Sequence, residues 1–217
     1  MLKFSLLLFF IGCLGFSQNV YKIDYGVEYL NYSVDTLDVD PAVKSYLIQN
    51  ENDSKKFLSS SGTLFELYFD RNKSVFINVE VMETDDQSKS VTLLSKVSEY
   101  AYSAKKQQLF SKNDSRFIQI EPHIQNWEII EETKNILGYR CKKAIITDYS
   151  KSKRKITAWF TEEIPMPYGP VNFYGLPGII LELNRYDRRI YALEVMQTDI
   201  NSVSDILKKK RLKIIKK

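Results

Sequence analysis

Cys141 is the first residue whose chemistry stands out. Lys142 and Lys143 adjoin it, and the only histidine in the sequence, His123, lies upstream. A thiolate nucleophile needs a lowered pKa and a partner base. On a strand Lys143 would share the face of Cys141 and Lys142 would not. A Cys141–His123 pair would make a papain-like hydrolase, although nothing in the spacing requires it. The other readings of the thiol are a buried structural one and a redox or mixed-disulfide one. A second candidate is acidic: Glu162 and Glu163 stand side by side and Glu182 follows. Paired carboxylates can move protons or hold a cation, but adjacent glutamates at a strand end more commonly form a solvated turn.

The third candidate is a loop. Pro165, Pro167, Pro170 and Pro177 fall close together with Gly169, Gly175 and Gly178. Each proline fixes φ and removes a donor, and each glycine permits positive φ or a close backbone approach. The segment is therefore expected to be a rigid, irregular loop carrying Tyr168, Phe173 and Tyr174 and ending in a strand from Gly178. With Gly175, Leu176, Pro177, Gly178, Trp127 and Trp159, these aromatics make up the expected ligand- or partner-binding surface.

The elements that must position these residues follow from periodicity. Residues 21–32 alternate strictly between apolar and polar, as in a half-buried antiparallel strand. Asp40-Pro41 reads as a helix cap with proline in the first turn, leading a short helix to about Gln49. Residues 50–61 read as loop. Further strands are expected at 64–69, 74–81, 116–120, 127–132, 139–148, 155–161, 178–184 and 189–197. Residues 91–110 mix helical and strand spacing, and strand is preferred. The fold class is therefore mainly β: one curved antiparallel sheet or half-barrel with one or two short helices. Its resemblance to lipoprotein-carrier (LolA-like) folds is an analogy of shape alone.

Gly175-Leu176-Pro177-Gly178-Ile179-Ile180 resembles the hexapeptide of the GLPGLI family of exported proteins, chiefly from Bacteroidetes-type bacteria. The resemblance extends over residues 127–184, through Trp127, Gly138-Tyr139-Arg140-Cys141, Ala158-Trp159-Phe160-Thr161 and Gly169-Pro170. It implies an exported protein with no established activity and no catalytic residues to carry over.

The chain has 217 residues, 44% hydrophobic and 27% charged, with a net charge of +4. This is the balance of a globular domain. Two cysteines and one histidine exclude a disulfide scaffold, a cysteine-type zinc site and a multi-histidine centre, and neither metal nor cofactor is expected. Residues 1–17 read as a signal peptide: Lys3, an apolar run, then Gly15 and Ser17 as small cleavage-site residues. The alternative is a lipoprotein anchored at Cys13. Residues 18–207 form the expected β domain. Residues 208–217 form a basic tail that holds seven of the 31 basic residues and leaves the body mildly acidic. Asp35-Thr36-Leu37 resembles a short O-glycosylation pattern.

These readings together predict an exported envelope protein, periplasmic or secreted. It would be non-enzymatic, binding an apolar ligand or an envelope protein, with peripheral membrane contact through the tail and no nucleic acid. The alternatives are an enzyme or redox protein using Cys141 and an accessory subunit of an outer-membrane assembly. Oligomeric state is not legible.

Overall fold

The computed structural model describes residues 20–30, 40–79, 97–123, 125–148 and 154–215. Residues 1–17, Cys13 and Asp35-Thr36-Leu37 lie outside the described residues. Twelve strands form one sheet. In chain order they are β1 (Tyr21–Tyr29), β2 (Phe65–Phe69), β3 (Lys73–Asn78), β4 (Tyr100–Ser103), β5 (Gln108–Asn113), β6 (Arg116–Ile120), β7 (Glu128–Ile136), β8 (Tyr139–Asp148), β9 (Arg154–Thr161), β10 (Ile179–Arg185), β11 (Arg188–Gln197) and β12 (Lys213–Ile215). The described residues also hold two helices, α1 (Pro41–Ser60) and α2 (Val203–Lys209). The fold is mainly β, as the periodicity predicts.

Strand order across the sheet is β12-β6-β5-β4-β3-β2-β1-β11-β10-β9-β8-β7. The neighbours pair antiparallel, except that β12 runs parallel to β6. This order dictates the curvature. In a flat sheet β6 and β7 would stand about 48 Å apart, at roughly 4.8 Å per strand. The chain from Ile120 to Glu128 can span at most about 28 Å. The sheet must therefore curl into a half-barrel, with the 121–127 segment as a chord across its mouth.

Two apolar layers sit on opposite faces. On the concave side, Ile23, Tyr25, Val27, Phe65, Leu67, Phe69, Phe76, Phe160 and Leu183 form the main core. On the convex side, Tyr68, Val75, Ile77, Phe110 and Phe117 are covered by Val203, Ile206 and Leu207 of α2. Alternate residues of one strand serve the two layers, as with Leu67 and Tyr68 or Phe76 and Val75.

Helix α1 starts as expected, with the Asp40 carboxylate accepting from the Ala42 N–H at 2.8 Å and Pro41 in the first turn. It then runs to Ser60, through the stretch expected to be loop. Phe57 and Leu58 anchor its second half on the main core, Lys55 pairs with Glu51 at 2.7 Å, and Ser61 closes the helix on the Phe57 carbonyl. Its first half projects from the body, with Tyr46 67% exposed. The end of the chain also differs from a detached tail. Ser202 caps α2, Leu207 packs beneath it, and Lys213–Ile215 extends the sheet.

Candidate functional site

The 163–178 loop is the plug of the half-barrel. The Met166 N–H donates to the Ile164 carbonyl at 2.7 Å, and the Tyr168 N–H to the Met166 carbonyl at 2.8 Å. Two successive three-residue turns, centred on Pro165 and Pro167, thus aim Ile164, Met166 and Tyr168 inward. Val171 takes a left-handed φ of 61°, a strained conformation for a β-branched residue. Leu176 and Phe173 complete the buried surface of the loop. Tyr168 packs against Phe69 and Tyr102, with ring centroids 6.0 and 6.3 Å away, and its burial raises the phenol pKa.

The 121–127 chord fastens this plug. Gln125 donates to the Asn172 carbonyl at 2.6 Å and accepts from the Tyr174 N–H at 3.0 Å. The Trp127 indole N–H donates to the Tyr174 carbonyl at 2.9 Å, and the Tyr174 hydroxyl donates to the His123 carbonyl at 3.0 Å. Tyr174 stacks on Tyr102 at 4.1 Å. Beside Phe173 and Tyr174 remains a crevice of about 10 Å³, room for roughly one water. The aromatic face expected to receive a ligand is filled by the chain itself.

The glycines explain why the loop has this sequence. A Cβ on Gly178 would stand 1.9 Å from the Thr161 carbonyl oxygen, and one on Gly169 would stand 2.6 Å from the Ile180 side chain. Gly175 has open space around it but a φ of +90°. Pro177 is exposed, and Leu176 fills the core.

The remaining predicted residues go elsewhere. Cys141 is fully buried. Burial pushes its thiol up to about 11, against the pull of nearby Lys134, and its Sγ–H faces the Tyr139 carbonyl at 3.6 Å. His123 is exposed on the chord. A buried thiol with a raised pKa does not offer the lowered pKa that a thiolate nucleophile needs. Glu162 pairs with Lys142 at 2.8 Å, and Glu163 accepts from the Arg140 N–H at 2.8 Å. Both serve to join the start of the loop to β8.

Trp159, half-buried against the edge of the main core, lies in a row that periodicity alone does not reveal. Register places Gly26, Tyr191, Glu182, Trp159, Lys143 and Ile130 side by side across β1, β11, β10, β9, β8 and β7. Tyr191 lies over Gly26, where a Cβ would meet its ring at 3.0 Å. Arg189 stands 4.7 Å from the Tyr191 ring centre and bridges Glu28 at 2.9 Å and Glu182 at 3.0 Å. Lys134 reaches Glu182 at 2.8 Å and sits over Trp159 at 4.4 Å. Lys143 binds Glu132 at 2.9 Å. Burial acts to raise the Glu182 carboxyl, but the hydrogen bonds from Lys134 and Arg189 outweigh it and hold the group below its ordinary value. The strip thus holds a buried carboxylate between two cations, flanked by two aromatic rings. Its sequence signals were Glu182, one polar residue within an apolar strand, and Trp159, expected at a binding surface; Arg189, Lys134 and Tyr191 gave none.

The fold and both faces define a class: a curled antiparallel β module whose hollow side is stoppered by its own proline-rich loop. The chain belongs to the family of the N-glycanase peptide, N-terminal domain, whose model matches residues 48–216. It is also similar to the structures of PNGF-II in space groups P21 and C2, with a TM-score of 0.57 to each, at 16% and 14% identity. Each comparison covers 92% of this chain and 31% of PNGF-II, so the chain spans about a third of that protein's length. No curated protein matches the chain by sequence.

This membership overturns the resemblance to the GLPGLI family. In this fold the hexapeptide is a packing requirement: a left-handed glycine, a core leucine and a glycine against a carbonyl. The expectation of a simply non-enzymatic binding protein is corrected as well, because the family is that of a glycanase domain.

Proposed function

We propose that this chain works in N-glycan processing, as the N-terminal domain of a glycanase. The observation that carries the reading is the family match over residues 48–216, which runs from α1 to β12. Its fold likeness to PNGF-II supports it. The plugged concave side leaves the strip around Arg189, Lys134 and Trp159 as the working surface. Its guanidinium and ammonium groups, held in place by the buried Glu182, suit the hydroxyl and amide groups of a glycan, and Trp159 and Tyr191 add ring surface. Export, expected from residues 1–17, would bring the domain to N-glycosylated proteins.

The test is N-glycan release from a denatured N-glycosylated protein, read by mass. The chain is assayed alone and then mixed with a glycanase lacking its own N-terminal domain. Release by the chain alone, or a several-fold rise on mixing, supports the reading. Arg189→Ala should lower that release several-fold while the fold survives. No release in either assay overturns it.

A further inference from the structure

On the convex side, away from the strip, α2, the β4–β5 hairpin and β12 enclose an apolar cavity of about 100 Å³. Phe110, Val203, Leu207 and Ile214 line it, and Lys73 and Lys106 stand at its wall. Ile214 is 38% exposed, and its neighbour Ile215 is 40% exposed. Lys208 and Lys209 end α2 and Arg211 follows, and all three are exposed. Lys208 is engaged by Asp205 at 3.2 Å, and Lys73 donates to the Ser204 hydroxyl at 2.9 Å. Among the described residues, no acidic side chain pairs with Lys106, Lys209, Arg211 or Lys213. Lys106 at the cavity wall, and Lys209 and Arg211 at and just beyond the end of α2, are therefore cations without partner acids at the same edge of the sheet as the open cavity.

We propose that this edge docks on an anionic phospholipid surface, an acyl chain entering the cavity while the basic residues neutralise headgroups. The charge complementarity selects this occupant: clustered lysines and arginines draw anionic membranes, and the exposed Ile214 at the cavity adds apolar contact. An acidic soluble protein would use the charges and leave the cavity idle. The cavity thus makes a prediction that charge alone does not.

The experiment is co-sedimentation of the full chain with phosphatidylcholine vesicles, with and without 30% phosphatidylglycerol, a composition of roughly the usual anionic content. Binding is expected to the anionic vesicles and to fall in high salt. Reversing Lys106, Lys209 and Arg211 to glutamate should weaken binding by more than about tenfold. Ile214→Ser keeps every charge and should weaken it about threefold or more. Dodecyl phosphate below its micelle concentration should compete, and inorganic phosphate at equal charge should not. Equal binding to neutral vesicles, no binding at all, or an Ile214→Ser variant that binds like the parent would each overturn the proposal. Thermal melts of the variants confirm that exposed positions were changed without loss of fold.

Discussion

Gly178 and Gly175 stand three residues apart in one loop, yet the backbone makes different demands of them. At Gly178 the obstacle is the Thr161 carbonyl, fixed in β9, and an added methyl would overlap it at 1.9 Å. At Gly175 the obstacle is only conformational, a φ of +90° with open space around it. Gly178→Ala should therefore cost about 3 kcal/mol or more in denaturant melts, as forced backbone movement in a core does. Gly175→Ala should cost about 1–2 kcal/mol, the penalty of a left-handed backbone. Equal losses would refute this division. Both glycines were legible as constraints, but only at Gly175 is the reason local, a left-handed φ; the carbonyl that bars a side chain at Gly178 comes from β9. Cys141 was not legible, since whether a thiol is a nucleophile depends on burial and charges contributed by distant strands. Here Lys134, Glu163 and Glu182 surround a thiol that desolvation holds protonated.

The chord and the plug are two irregular segments that hold each other in place. Gln125 bonds both sides of Phe173, at the Asn172 carbonyl and the Tyr174 N–H. Gln125→Ala should destabilise the protein by about 1–2 kcal/mol. Amide exchange should speed up at Tyr174 more than in β2 or β3. If exchange rises uniformly, or not at all, the clamp does not exist. Most strands were legible to within a few residues, because alternation at period two survives translation into a pleated sheet, but β4 and β5 were blurred into one ambiguous stretch and β12 was expected as tail. The second half of α1 was not. Its sequence is polar, and only Phe57 and Leu58 meeting β1 make it worth ordering. Likewise α2 and β12 carry a run of lysines that reads as solvated tail, until Leu207 and Ile214 find apolar neighbours.

At the scale of the whole molecule, the C-terminal segment closes a second core layer. Ending the chain at Ser202 removes Val203, Ile206 and Leu207 from the faces of Tyr68, Val75, Phe110 and Phe117. Losing three buried aliphatic side chains should cost on the order of 5 kcal/mol. The truncated chain should therefore melt far lower and take up a hydrophobic dye. A melt within a few degrees of the full chain would show that α2 is dispensable. The curl of the sheet is global too, set by a short chord joining strands ten places apart. From the sequence alone came the β class, the strand positions, the rigid loop and the residues barred from change by local sterics. These depend on period, turn chemistry and φ, which neighbours along the chain impose. Tertiary structure alone decided that the loop fills the hollow face and that Cys141 is buried. It alone aligned Glu182, Arg189, Lys134 and Trp159 into one strip. Burial, register and charge pairing arise between residues far apart in sequence, and no local pattern records which of them will meet.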